Sequence, residues 1–399
     1  MDGIKRPADQ PEPRDTYKIA YIIHFLLGAG NLLPWNAFIT AVDYFGFLYP
    51  SKHVEKVFSV AYMSSSMLVL ILMLIWGNWY GKLSSRLTLN LGFSMFVLSL
   101  MVSPIIDWTW SSGSNERTDG TYGVTIASVA VCGLADGLVG GSLMGSAGKL
   151  PKQYMQAVFA GTASSGVIVS LLRLSTKALL PQNPKGLRAS AHLYFLVSTM
   201  ILLCCIVCCN LLYKLSVMQQ HTRLHQQQDD DSFCSRPQIL TVARKVRWPA
   251  LGIFIIYIVT LSIFPGFIAE NLESKILRDW YPILLITVYN IADLVGKSLT
   301  AVYILQSIKK ATWACAGRLL FYPLFTAFLH GPTWLKTEVP MVVLTFMLGL
   351  TNGYLTSVMM ILVPKSAPVS DAELSAIIMV VFLGLGLVGG SVLGWFWII

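Results

Sequence analysis

Apolar residues in this chain gather in long runs separated by short polar connectors. Windows of about 19 residues place these runs near Lys18 to Phe45, Lys56 to Tyr80, Leu87 to Trp108, Tyr122 to Gly148, Tyr154 to Leu180 and Ala189 to Tyr213. After a polar stretch, five more follow near Ala250 to Ala269, Tyr281 to Leu305, Thr312 to Leu329, Pro340 to Val363 and Leu374 to Ile399. They repeatedly reach the roughly 20 residues that a helix needs to cross a hydrocarbon core of about 30 Å. The pattern predicts an all-α integral membrane protein of eleven transmembrane helices, in a six-plus-five arrangement.

The break at residues 214–248 contains Gln226-Gln227-Gln228, Asp229-Asp230-Asp231 and Arg244-Lys245-Val246-Arg247, with almost no apolar pattern. It reads as a disordered cytosolic linker. The expected organisation is a cytosolic amino-terminal tail over 1–17, a six-helix bundle over 18–213, the linker, and a five-helix bundle over 249–399. No internal repeat stands out, so this division rests on the position of the linker.

Composition agrees with the pattern. The 399 residues are 55% hydrophobic and 12% charged, with a mean hydropathy of +0.63, whereas a soluble domain carries about 25% charged residues. The net charge of +9 sits in connectors and not in one aromatic-interleaved patch, so it points to a membrane surface and not to nucleic acid. About 17 Lys and Arg fall on the side shared by the amino terminus and the linker, against about nine on the other. The bias puts the amino terminus in the cytosol, and an odd number of spans puts the carboxyl terminus outside. Cys204, Cys205, Cys208 and Cys209 lie within one apolar run, where thiols behave as small hydrophobes and not as metal ligands.

Candidate chemistry lies where polar groups enter the membrane, because a charge near its centre costs at least about 2.5 kcal/mol and must face protein or water. Asp136 falls mid-span between glycines. Asp293 and Lys297 lie one turn apart in the eighth span, the acid first, which suits an intrahelical ion pair, and Asn290 falls near the same face. In the first span, Pro34 interrupts the backbone ladder beside Trp35 and Asn36, a flat ring and an amide. Phe264-Pro265-Gly266 repeats the pairing of kink and aromatic in the seventh. His24 is a candidate proton relay. Arg173 reads as a snorkelling or pairing residue near the outer half of its helix, and Arg318 as a cytosolic-edge anchor. Asn352-Gly353-Tyr354 and Glu373 are candidates for gating or packing. The glycine-bearing faces at 133–148 and 384–394 read chiefly as close helix packing. No phosphate loop, H-E-x-x-H or other nucleophile or metal constellation occurs, so no enzyme activity, cofactor or ATP-driven step is expected.

The string Gly28-Ala29-Gly30-Asn31-Leu32-Leu33-Pro34-Trp35-Asn36-Ala37-Phe38-Ile39-Thr40-Ala41 resembles the signature of the equilibrative nucleoside transporter family. Asn290 to Ala301, Gly141-Ser142-Leu143 with Leu150-Pro151, and Asn352-Gly353-Tyr354-Leu355 followed by Pro364-Lys365 are similar to it as well. Ala135-Asp136-Gly137 and Tyr154-Met155-Gln156-Ala157 resemble the plant branch, nearest its eighth-numbered member. The resemblance implies a fold similar to the major facilitator architecture, with one central cavity opened alternately to each side. It implies purine and pyrimidine nucleosides as solutes, cytokinin ribosides as an extension, and facilitative or proton-coupled transport. Carried over by position, it implies that Leu32 and Trp35 touch the base, that Phe264 lines the cavity, and that Asn290 and Asp293 serve the ribose. Lys297 stands where relatives often have arginine. One position departs: Gly140 replaces a glutamine that reads the base, which leaves Asp136, one turn earlier, to take over recognition or to carry a coupled proton. The departure also keeps open a carrier of another small polar solute, a nucleobase or sugar, beside a non-transporting receptor of the same fold. The remaining expectations are a monomer at the plasma membrane.

Overall fold

The computed structural model describes residues 18–395 except 51, 53, 76–83, 111–118, 182, 220–238, 265–266, 269–273, 275, 278–279 and 331–337. The expected tail, the middle of the expected linker, Pro265-Gly266 and the last four residues lie outside the described residues.

Among the described residues every regular element is helical: α1 (Ile19–Thr40), α2 (Val42–Leu48), α3 (Val54–Ile75), α4 (Ser85–Trp110), α5 (Asp119–Lys149), α6 (Lys152–Leu179), α7 (Pro184–Leu212), α8 (Ile239–Ile263), α9 (Tyr281–Leu299), α10 (Ile308–Gly317), α11 (Phe321–His330), α12 (Glu338–Ser366) and α13 (Val369–Leu393). All but α2, α10 and α11 are long and apolar enough to cross a membrane, which makes ten such helices among the described residues. Local chemistry sets several boundaries. Asn183 caps α7 by accepting from the Gly186 N–H at 2.8 Å, with Pro184 at the first helical position.

Three expectations need correction. The first span is not one helix to Phe45: α1, with Pro34 inside it, ends at Thr40, and α2 begins at Val42 after Ala41. The ninth span is not one helix: Arg318–Leu320 form a 3₁₀ turn between α10 and α11. The expected linker is shorter, because α8 begins at Ile239 and residues 239–248 are helical. Val242 and Val246, one turn apart, are buried there, and Lys245 on another face pairs with Asp371 at 3.2 Å. The run of basic residues hides an amphipathic turn.

The helices pair by a pattern that occurs twice. In the first half α1 packs on α6, and α3 on α5; in the second, α8 packs on α13, and α9 on α12. Across the halves, α6 meets α9 and α13 meets α3. The symmetry that is not visible by eye in the residues is therefore present in the packing. Helices away from the seam, α4 and α7, leave Leu98, Met200 and Val207 two-thirds exposed, an apolar surface that only lipid would cover.

Small residues set the spacing of the α1–α6 pair. A Cβ at Gly161 would land on the Phe25 carbonyl, and one at Gly28 on the Val158 carbonyl, so backbone rests on backbone from both sides. Neither neighbour is a side chain that can rotate away. Gly161→Ala is therefore expected to cost about 3 kcal/mol or more, at the upper end for overpacking, and to remove most of the monodisperse protein in size-exclusion chromatography. Gly123→Ala, at an exposed site with nothing within 4 Å of the added methyl, is the matched control and is expected to leave the profile unchanged.

Candidate functional site

A cavity of about 180 Å³ lies between the two sets of helices. At roughly 15 Å³ per water it has room for on the order of a dozen waters. At the end of the molecule where α1 begins, the halves are joined below it. Lys149 of α5 pairs with Glu373 of α13 at 2.5 Å, Gln156 of α6 donates to Thr300 at 3.2 Å, and Gly148 packs on Ala376. From that seal, near Met144, Phe159 and Met360, the cavity runs toward the opposite end, where Ile39, Phe264 and Leu387 line it.

Two aromatic pairs face each other across the halves. Trp35 of α1 lies against Tyr62 of α3, with ring centroids 4.8 Å apart and planes tilted by 42°. Phe264, just past α8, stacks on Tyr289 of α9 at 3.9 Å and 17°. All four line the cavity, and together they offer flat apolar walls to a planar solute.

The polar groups form a connected chain through the second half. Lys297 Nζ lies 2.8 Å from Asp293 Oδ2 and donates to Thr162 of α6 at 3.3 Å. The other carboxylate oxygen, Asp293 Oδ1, accepts from Asn352 Nδ2 at 2.7 Å. Thr260 donates to Asn352 Oδ1 at 2.8 Å, and Arg318 donates to Thr260 at 2.7 Å. Each ionic member is less than a tenth exposed, so the desolvated charges are offset by hydrogen bonds at nearly every stage. The chain has three consequences for the reading of the sequence. The intrahelical ion pair forms. Asn352 is a direct partner of the carboxylate. Arg318 is no edge anchor: it is 2% exposed, and its guanidinium also holds the Leu348 carbonyl at 3.2 Å and the Thr351 hydroxyl at 2.6 Å. A helix break admits it, because the 3₁₀ turn brings the side chain inward just where α10 presents its carboxyl-terminal dipole.

The other expected site residues divide. Leu32, Asn36, Asp136 and Asn290 line the same cavity as Trp35, Phe264, Asp293 and Lys297. Asn36 donates to Ser165 of α6 at 2.9 Å, and Ser66 of α3 donates to Asp136 Oδ2 at 2.7 Å. Asn290 reaches across the halves, donating to Ser170 at 2.8 Å and to the Gly166 carbonyl at 3.3 Å. His24 does not belong to this group. It is 1% exposed, its Nδ1 lies 2.7 Å from the Ala20 carbonyl, and its ring sits against Tyr154, away from the cavity lining. Arg173 pairs, as one of its two readings had it, donating to the Thr40 carbonyl at the end of α1 at 2.9 Å. Among the described residues no cluster of ligating side chains suits a metal. Cys205 and Cys209 are buried and unbridged.

Sequence reading missed Tyr62, Tyr257, Thr260, Thr162 and the placement of Arg318. Hydroxyls and tyrosines in apolar helices resemble ordinary packing residues, and only the facing helix reveals which of them has an ionic partner.

Known proteins agree with this architecture. A family model described as nucleoside transporter matches residues 126–238 and 229–399. Equilibrative nucleotide transporter 8 of Arabidopsis thaliana is 66% identical over 98% of this chain and 98% of its own length. Equilibrative nucleotide transporter 1 of the same plant is 48% identical over 97% of this chain and 88% of its own. Among solved structures, a D-xylose-proton symporter superposes with a TM-score of 0.62 at 14% identity, covering 94% of this chain and 88% of the symporter. The human organic anion transporter MFSD10 gives 0.58 at 13%, covering 96% and 95%. At that identity the structures speak for the fold, which is that of the major facilitator transporters, and the plant relatives speak for the family. The chain is a multi-pass membrane transporter, not an enzyme, and it belongs to the nucleoside transporter family.

Proposed function

We propose that this protein carries nucleosides across the plasma membrane by opening its central cavity alternately to either side, with residues 18–213 and the helices from Ile239 onward as the two moving bodies. A single chain supplies both walls of the cavity, so a monomer suffices. The observation that carries the reading is the composition of those walls: aromatic pairs from opposite halves, and a carboxylate fixed by Lys297 and Asn352. In this reading Trp35 and Leu32 meet the base, Phe264 closes over it, and Asp293 accepts from the ribose hydroxyls while Asn290 and Asn36 stay in reach. Lys297 acts through Asp293, since its ammonium is already engaged. The joined end is the cytosolic one, which makes the observed state open toward the outside.

The curated relatives are called nucleotide transporters. Charge favours the uncharged nucleoside for this chain. A phosphate needs unspent cations, and the one cation lining the cavity among the described residues, Lys297, is bound to Asp293 and Thr162 while Asp136 adds a further acid. Proteoliposome counterflow tests the proposal. Labelled adenosine is expected to accumulate against unlabelled adenosine and to be displaced by cytidine, and adenosine monophosphate is expected not to compete. Binding without exchange would make the protein a receptor, and equal competition by the monophosphate would overturn the choice of solute. Repeating the assay at two external pH values separates facilitated from proton-linked entry, for which Asp136 is the proposed carboxylate.

A further inference from the structure

We propose that the side-chain amide of Asn31 reads the edge of the nucleobase, and that with Asp136 it selects bases bearing an exocyclic amine. The inference rests on the nucleoside reading above and adds to it the residue that distinguishes one base from another.

Asn31 lies one helical turn before Trp35 on α1, so its amide and the indole share a face. A base stacked against Trp35 therefore presents its edge toward Asn31. Asn31 is 8% exposed and lines the cavity, yet its Oδ1 is buried with no hydrogen-bond partner among the described residues. Buried amides almost always have partners. An orphaned acceptor on a side chain that lines the cavity is what a turn of the amide toward a solute donor would satisfy.

The wall opposite is cut away to match. At Gly140 of α5, an added Cβ would have only the Asn31 amide within 4 Å, its Nδ2 and Oδ1 both at 3.7 Å. The other glycines of this stripe behave differently: Cβ atoms at Gly133 and Gly137 would meet the backbone of α3. Packing thus accounts for those two, whereas at Gly140 the missing side chain leaves a niche over the amide. Asp136, one turn earlier on the same helix, also lines the cavity, and its Oδ2 is occupied by Ser66.

The niche offers one amide, which both donates and accepts, and the cavity wall one turn of α5 away adds one carboxylate, which accepts. A primary amide pairs bidentately with the amino group and adjacent ring nitrogen of adenine, and cytosine presents the same amino and ring-nitrogen pattern. An amide alone can rotate by 180° to serve a keto edge equally well. The carboxylate breaks that equivalence, because it welcomes a second amine proton and repels a carbonyl oxygen.

Competition in counterflow at neutral pH tests the assignment with pairs of solutes that differ at this edge: adenosine against inosine, and cytidine against uridine. The wild type is expected to prefer the amino member of each pair by about tenfold. Asn31→Leu, similar in size and without hydrogen bonds, is expected to bring both ratios below about twofold. Gly140→Ala fills the niche without a steric clash, and is expected to lower the ratios in the same direction even if the Asn31 variant does not fold. Ratios that stay at the wild-type value in either folded variant overturn the role of Asn31, as does a wild type with no amino preference. Absence of exchange for every nucleoside in the wild type would instead defeat the transport reading, so the two failures are distinct.

Discussion

Replacing Lys297 by methionine is expected to abolish nucleoside counterflow and to destabilise the protein by roughly 3–5 kcal/mol, the usual cost of removing one partner from a buried ion pair. Lys297 is 4% exposed and Asp293 7%. Without the ammonium at 2.8 Å, the carboxylate is left, among the described residues, with the Asn352 amide and with what water the cavity brings to a group only 7% exposed. The double variant Asp293→Asn with Lys297→Met removes both charges, so it is expected to recover much of the lost stability while remaining inactive, because the ribose acceptor has gone too. Lys297→Arg keeps the charge, and its fork can still meet the carboxylate; it should retain exchange. Melting in detergent, read beside counterflow, separates these outcomes. A single variant that melts with the wild type, or a double variant no more stable than the single, would mean that the pair contributes little to the cavity wall.

The spans were legible because hydrocarbon thickness imposes a length and a composition that few other environments demand. Asp293, Lys297, Asn290 and Asp136 were legible for a related reason: an ionic or amide group inside such a run has few explanations. What the residues did not disclose depends on distance across helices. Arg318 stands near the end of an apolar run, where a snorkelling anchor is the ordinary outcome. Its burial follows from a 3₁₀ turn just ahead of Pro323, whose missing N–H cannot serve the carbonyl four residues earlier, and that mark does not say which side chain turns inward. The start of α8 was hidden by Arg244, Lys245 and Arg247, whose charges mask the one-turn spacing of Val242 and Val246. Asn31 sat inside the first-span signature without distinction, since its significance comes from Gly140 on another helix. His24 shows the converse, a titratable group inside a span whose surroundings are packing and not cavity.

Arg318→Met is expected to have an effect comparable to that of the Lys297 variant, from a residue that lines no part of the cavity. Its guanidinium joins three elements: Thr260 on α8, Leu348 and Thr351 on α12, and its own position at the end of α10. Removal takes a charged donor from the Leu348 carbonyl and from the Thr351 and Thr260 hydroxyls, which keep only their bonds to α8 and α12, at about 1.5–3 kcal/mol for each charge-assisted hydrogen bond lost. Arg318→Lys should rescue stability only in part, because one ammonium cannot reproduce a planar fork directed at separate acceptors. Thr260→Val isolates the functional part of the loss. It leaves Arg318 bound to α12 but cuts the link to Asn352, so it is expected to weaken adenosine affinity several-fold through a misplaced Asp293 while lowering the melting temperature less than Arg318→Met. If Thr260→Val instead left affinity at the wild-type value, Arg318 would be a brace for the second half alone, and the carboxylate would owe its position to Lys297 and Asn352 without help from the helix break.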